Sequence, residues 1–326
     1  MNKRLGRREF LQAAGLATGS LAQFPVLAQR KRNLKIGHTG ITWVAPRPPH
    51  PANADAGVPA PRPPDAMRRV DPAWIEPIFK DVSSLGFYGL ELFSFQVEGM
   101  EANGGLGPLI EKYSLPMISA YGGPNLLDPA QRQESIAQSL VWARLLKKYG
   151  GKVVVIGPNG VRRDSYNFSD HKGDIVATLN EFGKALADIG LTGCLHQHTG
   201  TCIESRDETY AVMEAVDTRY VKFGPDIGQL QKGGSDPVQV VKDFLPIVNH
   251  MHLKDYNGGE YFVGYCPLGQ GKVNIPAILD MMDGRTIAGM TMVELDGGRQ
   301  MPMTALEAAT IAKKYLEKQG VAFRAA

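Results

Sequence analysis

Eight short apolar runs recur along the chain, and polar stretches with apolar positions at helical spacing separate them. The runs are "LKIGHTGITW" (34–43), "YGLELFSF" (88–95), "PMISAYGG" (116–123), "KVVVIG" (152–157), "GCLHQHTG" (193–200), "VKFGPDIGQL" (221–230), "VNHMHLKDY" (248–256) and "GMTMVEL" (289–295). Their brevity and near-continuous hydrophobicity suit strands buried on both faces. Between them, "DPAWIEPIFKDVSSLGF" and "DPAQRQESIAQSLVWARLLKKYG" each begin Asp-Pro, which predicts helix N-caps at Asp71 and Asp128 with proline in the first turn. Gly150 stops the second. "GDIVATLNEFGKALADIG", "RDETYAVMEAVD", "DPVQVVKDFLP", "NIPAILDMMD" and "MTALEAATIAKKYLEKQG" continue the series. Alternation of this kind means βαβ units, and eight of them predict an α/β protein with a single (β/α)8 TIM barrel over residues 33–322. The rival, an open doubly wound sheet, ordinarily carries a glycine-rich phosphate turn after its first strand. "GHTGITW" has none.

Two segments break the rhythm. Residues 44–67, "VAPRPPHPANADAGVPAPRPPDAM", hold eight prolines and no apolar period. One strand precedes them, too little for a domain. They are therefore read as the loop after strand one, a candidate lid on the face where barrel sites form. Residues 1–28 read as a targeting segment: a basic head with adjacent Arg7 and Arg8, then Phe10 and Leu11, a weak Ala/Gly-rich run, and a small-residue cleavage site after Ala28. The Arg-Arg-x-Phe-Leu order resembles the bacterial twin-arginine signal. It implies export of the folded precursor by that machinery and a periplasmic mature protein. The run is too short and too rich in glycine and glutamine for a stable membrane anchor.

Composition changes this picture little. The 326 residues are 43% hydrophobic and 21% charged, ordinary globular values, and a net charge of +3 with no basic stripe argues against nucleic acid as a partner. Cys194, Cys202 and Cys266 form neither a CxxC unit nor an even framework.

Histidine placement is more informative. Four of the seven histidines fall in two His-x-His units, His196/His198 and His250/His252. Residues two apart share a strand face, so each pair points together. With Asp226 ending strand six and Glu294 ending strand eight, metal-competent groups stand at the ends of strands five to eight. A lone buried histidine is usually a satisfied core residue. Several converging polar groups would leave charges uncompensated at a cost of several kcal/mol each without a cation.

The stretches "GPDIGQL", "HMHLKDY", "PLGQGKVNIPAIL" and "VELDGG" resemble the sugar phosphate isomerase/epimerase superfamily, the xylose isomerase-like barrels. The likeness runs from "KIGHTG" to "VELDGG". It implies one divalent ion held by Asp226, His252, Glu294 and the strand-five position, here His196 in place of the epimerases' glutamate. That departure, with the His-x-His-x-Gly-Thr pattern, is similar to the inosose dehydratase-like branch. Mixed nitrogen and oxygen ligands suit Mn²⁺ first, with Zn²⁺, Co²⁺ or Fe²⁺ as alternatives. The implied chemistry is proton abstraction next to the carbonyl of a sugar substrate, followed by β-elimination or dehydration. His198 is the first candidate base, Glu294 the second, and Lys254 a candidate donor to the leaving oxygen. His38, Glu91 and His250 are candidate substrate contacts.

Three alternatives stand beside this. Loss of one of two opposed carboxylates weakens aldose–ketose isomerisation or C3 epimerisation without removing it. A periplasmic sugar-binding barrel would not need the metal tetrad. A nuclease would need further metal ligands, where this chain has Gln229 and "CPLGQG".

Overall fold

The computed structural model describes residues 31–43, 70–297 and 301–325. The expected targeting segment 1–28 and the proline-rich stretch 44–67 lie outside the described residues.

Ten strands form among the described residues: β1 Ile36–Thr39, β2 Leu90–Phe93, β3 Met117–Gly122, β4 Val153–Ile156, β5 Thr192–Leu195, β6 Val221–Phe223, β7 Met251–Leu253, β8 Asp255–Tyr256, β9 Tyr265–Cys266 and β10 Thr291–Val293. Eight of them make one parallel sheet in the order β6-β5-β4-β3-β2-β1-β10-β7. Bridges from Phe223 to Val248 and from Asp226 to His252 join its two ends. The Asn249 amide donates to the Phe223 carbonyl (3.0 Å) and the His252 amide to that of Pro225 (2.9 Å). The sheet is thus a nearly closed (β/α)8 barrel, with β10 as its eighth strand.

Helices follow the strands, and local sequence explains their ends. The Asp71 carboxylate accepts from the Ala73 amide at 2.8 Å and caps the helix Pro72–Ser84. Asp128 caps a 3-10 turn, Pro129–Gln131, so the long helix Arg132–Lys148 begins one turn later than the Asp-Pro signal predicts. Ser205 and Thr304 form capping boxes with Glu208 and Glu307. The run 221–230 is not one strand. After β6, Asp226 accepts from the amides of Gly228 and Gln229 and starts the helix Ile227–Lys232. The antiparallel β8–β9 hairpin after β7 was also not expected from periodicity.

The main core lies between sheet and helices, with Ile36, Phe79, Leu90, Val154, Leu179, Phe182 and Leu279 fully enclosed. Inside the barrel a smaller apolar layer of Val153, Val155 and Cys194, with Tyr121 against it, forms a floor. Polar residues sit above that floor. All three cysteines are free and buried.

Candidate metal centre and its cavity

Register decides which side chains reach the lumen. Thr39 pairs with Glu91, and Glu91 with Ser119, so these share the inner face. His38 pairs with Leu90 and faces the opposite way. Its ring meets Trp43 and Phe87 edge-on, each at 5.0 Å between centroids, and its Nδ1 lies 2.8 Å from the Thr39 carbonyl. Burial pushes its pKa down to about 4. The expected substrate contact by His38 is therefore corrected. It packs between barrel and helices, because strand alternation sends its neighbour Thr39 inward.

At the carboxyl ends of the strands a cavity of about 90 Å³ is lined by residues including Thr39, Glu91, Tyr121, His196, His198, Glu294 and Asp296. Beneath its wall, β7 delivers His252 between two carboxylates: Nε2 is 3.0 Å from Glu91 Oε1 and Nδ1 is 2.7 Å from Glu294 Oε2. His196 stacks obliquely on His252, with centroids 4.7 Å apart. Nitrogen and oxygen atoms of His196, Asp226 and His252 gather within 4.8 Å of one another, and so do those of Glu91, His250 and His252. Three of the four residues expected to hold an ion thus meet directly, and Glu294 adjoins them through His252.

Lys254 enters the same knot. It is fully buried, with Nζ 3.0 Å from Asp226 Oδ2, 2.6 Å from Glu294 Oε1 and 3.1 Å from Asp296 Oδ2. Burial works against its charge, but Asp226, Asp296 and Glu294 hold the ammonium well above its usual range. It does not belong to the cavity wall, so its expected contact with a leaving oxygen is corrected: this ammonium orients carboxylates. Burial likewise opposes charge on His252, while Glu294 and Glu91 outweigh it and keep the imidazolium favoured. Burial, then the neighbouring His252, holds His196 well below the usual range and so neutral. Glu294 is held well below the ordinary carboxylate range by His252 and Lys254 in spite of its burial.

The residues present fit a divalent ion. Four carboxylates (Glu91, Asp226, Glu294, Asp296) converge on one ammonium and one histidine. Several buried donor atoms also lack aligned hydrogen bonds among the described residues: His196 Nδ1, Asp226 Oδ2 and both ring nitrogens of His252. The last three lie at ion-pair distance from partners but off the hydrogen-bond direction. Buried polar atoms in that condition are costly, and a ligated cation would satisfy them. His196, Asp226, His252 and Glu294 would hold it.

His250 stands lower. Its Nε2 is 3.0 Å from Glu91 Oε2, its Nδ1 accepts from the Met290 amide at 3.3 Å, and it is fully enclosed. It lies outside the cavity lining, so the expected substrate contact is replaced by an orienting one. Glu91 does line the cavity. Both its oxygens are also engaged, one by His252 and the other by His250 and by Ser119 Oγ at 2.6 Å. His198 reaches the cavity wall, with Nε2 2.7 Å from Gln229 Nε2 and Nδ1 2.7 Å from the Thr199 carbonyl.

Three lining or supporting residues were not among the expected site residues. Asp296, two residues past Glu294, carried a weak signal in "VELDGG" through its period-two spacing. Tyr121 carried none, since an aromatic at a strand end is ordinary, and Gln229 stood out only as occupying a position where a nuclease would have a further metal ligand.

Comparison with known proteins agrees with this architecture. A family model described as xylose isomerase-like TIM barrel matches residues 79–318. An inosose dehydratase of Clostridium botulinum (strain Alaska E43 / Type E3) is 22% identical over 272 residues, covering 75% of this chain and 89% of that protein. Among solved structures, the probable 3-DHS dehydratase AsbF of Bacillus anthracis superposes with a TM-score of 0.66 at 15% identity, covering 87% of this chain and 99% of that one. The IOLI protein with a bound zinc atom gives 0.66 at 17% identity, covering 88% and 98%.

Proposed function

The chain belongs to the xylose isomerase-like TIM barrel family, and from that premise we propose that it is a divalent-metal-dependent sugar lyase acting on a keto-sugar or 3-keto-glycoside. The observation that carries this reading is the ring of buried, unaligned donor atoms on His196, Asp226 and His252 beside the cavity. The inosose dehydratase relative and the two solved barrels, one a probable dehydratase and one holding zinc, support it. When bound, the ion supplies Lewis acidity to the carbonyl oxygen and so acidifies the neighbouring C–H. The chain's own residues do the rest. His198 takes that proton on Nε2, which first has to be freed of the Gln229 amide nitrogen 2.7 Å away. The electron pair left behind forms a carbon–carbon double bond as the β C–O bond breaks, and the departing oxygen takes the proton back from His198 and leaves as water or an alcohol. Glu91 and Lys254 keep His252, Glu294 and Asp226 aligned, which is positioning of the kind that rate enhancement requires.

A neutral imidazole that ligates a metal has no free lone pair, so His196 cannot serve as the second base of a reversible epimerisation. The test is incubation with a panel of keto-sugars and 3-keto-glycosides in D₂O, followed by mass spectrometry. An unsaturated ketone, its hydrate or a released aglycone is expected. Deuterium in recovered, inverted sugar with no eliminated product would replace this reading with epimerisation. We place the mature enzyme in the periplasm on the strength of Arg7, Arg8, Phe10 and Leu11 alone.

A further inference from the structure

We propose that the apolar flank of the cavity is a subsite for the leaving group, so that the substrate is a 3-keto-glycoside of an apolar alcohol rather than a free keto-sugar. The inference rests on the reading of the site as a lyase. It starts from the same-face neighbour of each inward residue, two positions further along its strand. On β2 and β3 the polar pair Glu91 and Ser119 is followed by Phe93 and Tyr121, which are themselves register partners. Ile41 lies two residues beyond Thr39. Past the ends of β5 and β10, His196 and Glu294 are followed by His198 and Asp296. All five of these upper residues line the cavity. Its upper layer is therefore divided. The first three strands supply hydrocarbon and aromatic rings, and the fifth and eighth supply imidazole and carboxylate.

Tyr121 stands at the seam. Its ring meets Phe93 edge-on at 5.7 Å and His196 edge-on at 5.4 Å between centroids. A Cβ at Gly157 would lie 2.3 Å from that ring, so bare backbone after β4 gives the ring its room. Phe95 stacks on Phe93 with centroids 5.5 Å apart and planes at 18°. Both are only partly buried, which extends the aromatic surface from the cavity wall toward solvent. A sugar carries hydroxyls around its rim, and against this flank they would lose water without gaining partners. The reacting atoms belong at the other flank, beside His198. In a 3-keto-glycoside with the acidic hydrogen on C2, the pair from the C2–H bond becomes the C1–C2 double bond. The glycosidic oxygen keeps the C1–O pair, takes the proton back from His198 and leaves as the alcohol. The group carried by that oxygen projects from the reacting carbons, and it is the part an apolar flank can bind. In a free keto-sugar the departing oxygen leaves as water and gains nothing there.

Methyl and benzyl 3-keto-glycosides of one sugar test this, because their leaving alkoxides are of similar basicity and differ in apolar surface. We expect kcat/KM for the benzyl compound to exceed that for the methyl compound by more than about tenfold. The activity-independent readout is calorimetric binding of the corresponding unoxidised glycosides, which have no carbonyl and cannot react. The benzyl one should bind the metal-loaded protein more than about tenfold tighter. Phe93→Ala should cut both ratios to about threefold or less. Ile41→Asn, on a partly exposed turn, should cut them too and guards against a folding failure of the first variant. Equal values for the two compounds in the wild type, or a benzyl preference that survives both substitutions, overturns the subsite. Recovery of inverted sugar without elimination, with the benzyl preference in binding intact, removes the lyase reading and leaves the subsite. Elimination without that preference does the reverse.

Discussion

The two His-x-His pairs share a spacing and differ in almost everything else. His196 and His198 lie just past the end of β5, and both reach the cavity wall. His250 lies just before β7 and His252 in its middle, and neither lines that wall. His252 is wedged between Glu91 and Glu294, and His250 sits lower, with Nε2 on Glu91 and Nδ1 receiving the Met290 amide. A one-residue step along a strand changes the face, but a shift of the whole pair along the barrel axis changes the layer. The pair past the strand end lines the cavity, and the pair at the start of its strand meets other side chains.

The largest expected effect breaks the lower pair at its upper member. His252→Ala should lower affinity for the divalent ion by more than about a hundredfold, since loss of an orienting partner alone costs about 10–100-fold, and turnover should vanish with it. Metal analysis of the purified variant checks this, and a full complement of ion would remove His252 from the ligand set. Next, His198→Ala should reduce turnover about a hundredfold or more while the ion stays bound, and steady-state kinetics with metal analysis separates the two. His250→Gln should act more weakly. We expect about 1–3 kcal/mol of lost stability in urea unfolding, from the Glu91 carboxylate left with one partner fewer, and about a tenfold weaker metal affinity.

The smallest effect sharpens the contrast with a histidine in neither pair. His38 has a folded pKa near 4, below its unfolded value of 6.5. The unfolded chain therefore binds its proton first as pH falls. The stability contributed by neutral His38 is complete above pH 6.5 and is lost between pH 6.5 and 4, by up to about 3 kcal/mol. His38→Gln should leave kcat unchanged at neutral pH and show a smaller loss of stability between pH 7 and 4.5. A variant with the wild-type acid loss would place that loss on other groups.

Much of the fold was legible because it depends on local periodicity. Eight apolar runs became eight barrel strands, and Asp71 caps its helix as the Asp-Pro signal indicated. The extent of each strand was not legible. Residues 193–200 and 221–230 look continuous in hydrophobicity, yet β5 stops at Leu195 and β6 at Phe223. Asp226 has a side chain that competes for backbone amides and begins a helix there instead. The site followed the same division. His196, Asp226 and His252 converge as the strand-end pattern indicated. Lys254 joins them, and alternation put it inward as expected but could not show three carboxylates closing over it.

By itself the sequence determined what short-range physics controls: the alternation of strand and helix, the helix cap at Asp71, the shared face of each histidine pair, and the chemical character of the donors at the strand ends. Only the tertiary structure decided depth and partnership. It put His38 behind the sheet, lowered His250 beneath the cavity, caged Lys254, brought Asp296 to the wall and set Gln229 against His198. Each of these depends on the stagger of neighbouring strands around the barrel. That stagger is fixed by hydrogen bonds between segments far apart in the chain, such as Thr39 beside Glu91 and His252 beside Pro225.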